Sequence, residues 1–121
     1  MNPFEQKLEE YIKPLFKYIF KRNVRPNWLI NPKTNRKLEL DLYSEEGKIA
    51  FELNSKYHHH PKYMDKNRKE LDELKIQLCK LNRVRLIIVE LASIKTKSSK
   101  QFVHYLTLTH PELQIKNGYF I

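Results

Sequence analysis

Two stretches of alternating apolar and polar residues, joined by a short turn, constrain the fold of this chain more than any other feature. The apolar positions are Leu38, Leu40, Leu42, Ile49, Phe51 and Leu53. A period of two is typical of strands, and the turn at residues 44–47 predicts a β-hairpin. If the six apolar side chains face the core, Asp41, Glu52 and Asn54 share the opposite face.

A helix and an apolar run follow the hairpin. Residues 65–82 have the period of a helix, with an apolar stripe at Leu71, Leu74, Leu78 and Leu81. Residues 84–91, VRLIIVEL, have the length and composition of a central strand that is buried on both faces. A connection through a helix favours a parallel neighbour. We therefore expect a small mixed sheet flanked by helices.

The two ends of the chain add helices to this unit. The pattern predicts a first helix over residues 3–21, kinked or divided at Pro14, and then a loop over 22–35 with a short strand at 28–30. A last helix is predicted over 98–109, capped by Ser98 or Ser99. The tail after it either adds an edge strand or packs against a second copy. At 121 residues the chain predicts one α/β domain.

Charge and cysteine content restrict the partners and the compartment. The chain has 23 Lys and Arg against 14 Asp and Glu, a net charge of +9, which favours a polyanion such as nucleic acid. Its one cysteine, Cys79, excludes an internal disulfide and indicates a reducing, intracellular setting. The N-terminal residues contain no uninterrupted apolar stretch, so we expect a soluble protein without a membrane span.

Paired carboxylates on one hairpin face indicate a site for a hard cation. Asp41 and Glu52 offer the oxygen ligands that Mg²⁺ and Mn²⁺ prefer, and such an ion can activate water beside a phosphate. Glu39 shares the face of Asp41 and is a candidate third ligand. Glu5 lies near the apolar arc of the first helix, where a dipole or capping role is favoured over metal binding. The structural alternative is that these acids are exposed on the wet face of a hairpin.

The region from Lys37 to Glu90 resembles the very-short-patch-repair and homing-endonuclease-like branch of the PD-(D/E)XK nuclease superfamily. In that branch a strand Asp precedes a hairpin, a Glu-x-Asn-Gly with a following His ends the second strand, and a helix carries Asp-x-x-Lys before a Cys. The matching positions here are Asp41, Glu52, Asn54, His58, Asp72, Lys75 and Cys79. The resemblance implies a restriction-endonuclease-like core with a small mixed sheet.

Two positions depart from the pattern. The superfamily's usual lysine, two residues after the Glu, is Asn54 here, and the branch's Gly is Ser55. A helical wheel directs Lys75 toward the sheet, between Leu71 and Cys79, where it can act as a displaced catalytic lysine. The alternative is a lysine at the core edge that extends its amine to water.

The resemblance implies a metal-dependent endonuclease acting on DNA, with Mg²⁺ or Mn²⁺ held by Asp41 and Glu52, and with Asn54, Lys75 and His58 in supporting catalytic roles. The alternatives are a nucleic-acid-binding module that keeps the fold without the chemistry, and an interaction subunit that binds an acidic protein. A homodimer is compatible with the apolar tail. The residues expected to contact nucleic acid are Lys21, Arg22, Arg25, Lys33, Arg36, Lys37, Lys56 and Tyr57.

Overall fold

The structure is a computed structural model that describes residues 3–54 and 66–120. The first helix, α1, spans Pro3–Ile12, and a 3₁₀ turn at Lys13–Leu15 continues it. The predicted helix over 3–21 is therefore too long. Pro14 divides the segment as predicted, because proline cannot donate the backbone hydrogen bond that a continuing α-helix needs. By Phe16 the backbone is extended, with φ −129° and ψ 149°.

Eight strands follow in the described chain. They are β1 Lys21–Val24, β2 Ile30–Asn31, β3 Arg36–Lys37, β4 Leu40–Ser44, β5 Ile49–Asn54, β6 Arg85–Glu90, β7 Ile115–Lys116 and β8 Tyr119–Phe120. The predicted β4–β5 hairpin is confirmed, with Leu42 opposite Phe51. The loop prediction is wrong at its start, because residues 22–24 belong to β1, and the short strand predicted at 28–30 is found one to two residues later as β2. β1 pairs antiparallel with β4, and β2 forms a small separate hairpin with β3.

The main sheet has the strand order β1-β4-β5-β6. Helix α2, Lys66–Leu81, connects β5 to β6, and these two strands are parallel as predicted. The prediction that residues 84–91 form a central strand is wrong, since β6 is at an edge of the sheet. Its apolar character has another cause: Ile87 and Val89 face one core cluster while Leu86 packs against the other.

Both faces of the sheet are covered. On one face, Phe51 and Ile87 pack with side chains from α1 and from two C-terminal helices, α3 Leu91–Thr96 and α4 Ser99–Thr109. On the other, Tyr43 and Ala50 pack against Cys79 of α2. Neither face of the hairpin is therefore its wet side. The prediction that six apolar side chains share one face is wrong for Leu38 and Leu40, which pack in the cluster on the α2 side. Glu52 faces α2, and both it and Asp41 are half-buried.

Helix α2 is rotated relative to the predicted stripe. Leu81 is 78% exposed and Leu71 is 36% exposed, whereas Cys79 is fully buried. The inward face combines Leu74, Lys75, Leu78 and Cys79, all buried or half-buried. A lysine thus lies on the side of the helix that packs against the sheet.

The C-terminal elements complete the larger core. Ser98 caps α4 through a capping box with Gln101. Ser98 was one of the two residues predicted as the cap. The tail forms the β7–β8 hairpin around Asn117 and Gly118, which both have positive φ. Phe120 is buried, and its ring centroid lies 5.5 Å from the ring centroid of Phe16. The tail therefore packs against its own chain. Among the described residues, no helix is long and apolar enough to cross a membrane.

Candidate active site

Asp41 and Glu52 lie on adjacent strands and hold each other in place through the backbone. Oε1 of Glu52 accepts a hydrogen bond from the backbone N–H of Asp41 at 2.9 Å. Oδ2 of Asp41 accepts one from the backbone N–H of Leu53, also at 2.9 Å. The regular pairing of β4 with β5 runs from Ser44 to Leu42. Beyond that point the two carboxylates take the backbone hydrogen bonds, which fixes their orientation.

Lys75 reaches the same site from α2. Its Nζ lies 3.3 Å from Oε2 of Glu52, and both side chains are 17% exposed. Each carboxylate oxygen of Glu52 therefore has a donor, one from β4 and one from α2. The expectation that Lys75 is aimed toward the sheet is confirmed by this contact.

Glu5 of α1 is the third carboxyl group at this position. The carboxyl groups of Glu5 and Asp41 lie close enough for each to shift the pKa of the other. The preferred expectation for Glu5, a capping or dipole role, did not include this contact. A signal for it exists in the sequence: Glu5, Leu8 and Ile12 have helical spacing, and the latter two are buried. The helix face that packs on the sheet thus begins with Glu5.

The carboxyl groups of the site are all shifted toward the protonated form. Burial, followed by the nearby charge of Asp41, raises the pKa of Glu52 to about 7, even though Lys75 and the Asp41 N–H oppose that shift. Burial also raises the pKa of Asp41, against the hydrogen bond from Leu53 and the charge of Lys75. The pKa of Glu5 is raised by burial and then by Asp41. One lysine is too little positive charge for three acids, so a cation would stabilise their ionised forms.

The donor set fits a hard divalent cation. Mg²⁺ commonly binds through one or two carboxylates and keeps several water ligands, and Mn²⁺ also accepts carboxylate and water. Asp41 and Glu52 supply the carboxylates. Among residues 3–54 and 66–120, no group of three or more His, Cys, Asp or Glu side chains is arranged as a metal site.

Two other predicted site residues point elsewhere. Glu39, the candidate third ligand, forms an ion pair with Arg25, with Oε2 3.0 Å from Nη2. Its negative charge still contributes to raising the pKa of Asp41. Asn54, at the position of the usual lysine, lies within 3.5 Å of Glu90 on the neighbouring strand. Neither contact brings the residue between Asp41 and Glu52. The predicted positions of His58, Lys56 and Tyr57 lie outside the described residues.

The predicted nucleic-acid contacts divide into two groups. Arg22 pairs with Glu9 at 2.9 Å and belongs to β1, while Lys21 on the same strand is exposed. Lys33, Arg36 and Lys37 are exposed on the β2–β3 hairpin, to which Arg25 is also bonded. The basic residues therefore lie along one edge of the sheet and the hairpin beside it.

No family model, curated protein or solved structure matches this chain.

Proposed function

We propose that this chain is a metal-dependent endonuclease that hydrolyses phosphodiester bonds in DNA. The observation that carries the proposal is the arrangement of Asp41, Glu52 and Lys75: two half-buried carboxylates on adjacent strands with one lysine bound to the second of them. This combination of two acids and a lysine is the one that the resemblance to the PD-(D/E)XK nucleases implies. The element order also supports it: a helix, three antiparallel strands, a crossover helix and a parallel strand.

Each side chain would have a separate task. Asp41 and Glu52 would hold Mg²⁺ or Mn²⁺, and their hydrogen bonds to the backbone keep both carboxylates oriented. When bound, the ion supplies Lewis acidity and lowers the pKa of a coordinated water. Lys75 would orient the attacking water and face the negative charge that develops on the phosphate. Placing Lys75 on α2 compensates for Asn54 at the usual lysine position.

A DNA substrate is supported by charge. The net charge of +9 and the exposed basic side chains near the site favour a polyanion that binds without regard to sequence. The raised pKa of Glu52, about 7, also favours a site whose charge is balanced by a bound cation.

The second candidate is a nucleic-acid-binding module of the same fold without activity. Asn54 favours it, because its amide cannot carry the positive charge of the lysine that it replaces. In that case the charged surface would bind DNA and the carboxylate pair would have only a structural role.

One cleavage assay distinguishes the two. Supercoiled, linear and single-stranded DNA are incubated with the protein in Mg²⁺, Mn²⁺ or EDTA. The variants are Asp41→Asn and Glu52→Gln, which keep the side-chain shape, with Glu46→Gln in the exposed β4–β5 turn as the matched control. We expect nicking that requires metal, falls at least about a thousandfold in the two site variants and is unchanged in the control. DNA binding without cleavage in either metal would instead support the inactive module.

A further inference from the structure

The β2–β3 hairpin has a turn that is rigidly built and wholly exposed. All six residues from Pro32 to Lys37 are exposed, yet Asn31 beneath them is only 7% exposed. Oδ1 of Asn31 accepts a hydrogen bond from the Lys33 N–H at 3.0 Å, and its carbonyl accepts one from the Asn35 N–H at 2.7 Å. A buried asparagine thus fixes a turn whose own side chains face solvent.

The base of the hairpin is attached to the sheet next to the candidate active site. The Leu38 N–H donates to the Leu29 carbonyl at 2.7 Å, and Leu29 is fully buried. Arg25 donates to the Lys37 carbonyl at 3.2 Å and pairs with Glu39 at 3.0 Å, two residues before Asp41. Four residue steps separate Lys37 from Asp41, which is about 13 Å of extended chain. One macromolecule can therefore contact both places.

Positive charge is concentrated in the segment that contains the β2–β3 hairpin. Residues 11–38 contain eight Lys and Arg and no Asp or Glu, so this segment carries nearly all of the net charge of +9. Lys33, Arg36 and Lys37 bring three of these charges to the hairpin. Nζ of Lys33 lies 3.9 Å from Oε2 of Glu70 on α2, in an ion pair that leaves the Lys33 side chain 83% exposed. A polyanion is the partner that such a surface attracts.

We propose that the β2–β3 hairpin is a β-ribbon that enters the major groove of duplex DNA. Beyond the Asn31–Arg36 pair the hairpin consists of an exposed four-residue turn, residues 32–35, and paired strands lie only about 4.8 Å apart, well within the major-groove width of about 12 Å. The major groove of B-form DNA admits a two-stranded ribbon, whereas the groove of A-form RNA is too narrow. Lys33 and Arg36 would contact phosphates and base edges. This inference rests on the proposed nuclease function, for which duplex DNA would be the substrate. Binding of the duplex can nevertheless be measured without cleavage.

The test compares binding in the cleavage-deficient Asp41→Asn background. Duplex DNA, duplex RNA and single-stranded DNA of one sequence are titrated at several salt concentrations. The hairpin variant is Lys33→Ala with Arg36→Ala. The control is Lys100→Ala with Lys116→Ala, which removes the same charge from two exposed positions on α4 and β7. Phe102 of α4 and Phe120 of the β7–β8 hairpin belong to the core cluster on the opposite face of the sheet from Leu29. Thermal unfolding of both variants verifies that the fold is retained.

We expect the unmodified hairpin to prefer duplex DNA over duplex RNA. The hairpin variant should bind duplex DNA at least about tenfold more weakly, with a salt dependence reduced by about two contacts and little remaining preference for DNA over RNA. The control should change binding within about twofold. Equal losses in the two variants, or equal losses for duplex and single-stranded DNA, would overturn the ribbon proposal.

The binding test and the cleavage assay can fail independently of each other. If the parent protein cleaves DNA but the hairpin variant binds normally, only the ribbon proposal fails. If the parent never cleaves but the hairpin variant loses duplex binding, the ribbon stands and the nuclease fails.

Discussion

Lys75 and Glu52 form an ion pair across the interface between α2 and the sheet, with Nζ 3.3 Å from Oε2. Since both side chains are largely buried, the pair is screened less by solvent than a surface ion pair would be. The charge of Lys75 lowers the pKa of Glu52, but burial and Asp41 still hold it at about 7. The lysine therefore offsets only part of the negative charge of the site.

Replacement of Lys75 should separate its two possible roles. For Lys75→Met, which keeps the length of the apolar stem, we expect metal-dependent cleavage to fall by about a hundredfold or more, because one charge that stabilises the transition state is lost. Single-turnover cleavage rates measure this. Lys80→Ala, an exposed lysine of the same helix, is the control. An undiminished rate in Lys75→Met would leave Lys75 with a structural role only.

The stability of the metal-free protein should decrease as the pH rises from about 4.5 to about 7. The pKa of Glu52 is raised from 4.5 to about 7 in the folded state, so the folded protein binds more protons than the unfolded chain in that window. Stability then falls with increasing pH, by an amount on the order of 3 kcal/mol for this group, and levels off above it. The raised pKa of Asp41 acts in the same direction. Urea unfolding in EDTA at a series of pH values measures the slope.

Glu52→Gln supplies the control for that slope. An amide has no proton to exchange in this window, so the variant should lose most of the dependence and be more stable than the parent at pH 8. Glu46→Gln in the exposed turn should retain the parent's profile. A parent whose stability rose between pH 5 and 7 would contradict the assignment of Glu52.

Divalent cations should stabilise the fold above pH 7. Ionised Asp41 and Glu52 repel each other across β4 and β5, and a bound Mg²⁺ or Mn²⁺ would relieve that repulsion. At a hundredfold excess over its Kd, a ligand specific to the folded state adds about 2.7 kcal/mol. Thermal unfolding with and without the ion, at pH 8 and at pH 5, should show a shift only at the higher pH. An equal shift in Asp41→Asn would place cation binding elsewhere.

Cys79 should be unreactive in the folded protein. The thiol is fully buried against the sheet, and burial, with Glu52 nearby, raises its pKa to about 11. Thiolates react with disulfide reagents, so we expect no labelling at pH 8 in native buffer and one equivalent after denaturation. Rapid native labelling would mean that α2 separates readily from the sheet. Because α2 also carries Lys75, the labelling rate reports on the integrity of the site.

Local patterns in the sequence account for much of this architecture. The β4–β5 hairpin, helix α2, the parallel strand β6 and the Ser98 cap follow from periodicity, turn residues and capping chemistry. β1 was not predicted because Lys21–Val24 has no apolar alternation: it is stabilised by pairing with β4, which its own sequence does not reveal. The edge position of β6 was missed because burial on two faces produces the same apolar run at an edge as at the centre.

The candidate site was predictable only in part. The hairpin brings Asp41 and Glu52 together on adjacent strands, and the helical wheel directs Lys75 toward the sheet. The predicted alternation itself fails between Leu40 and Leu42, which pack in different core clusters. Helical spacing groups Glu5 with the buried Leu8 and Ile12, but its closeness to Asp41 depends on how α1 packs against the sheet, which that spacing does not determine. The rotation of α2, which exposes Leu81 and buries Cys79, likewise follows from packing against Tyr43 and Ala50.

The separations along the chain imply an order in which the site assembles during folding. Asp41 and Glu52 are 11 residues apart and belong to one hairpin, whereas Lys75 is 23 residues from Glu52 and arrives with the crossover helix. Short loops close at lower entropic cost, so we expect the acids to meet before their lysine does. Their repulsion then opposes the hairpin until α2 docks, and a divalent cation present at that stage should accelerate folding.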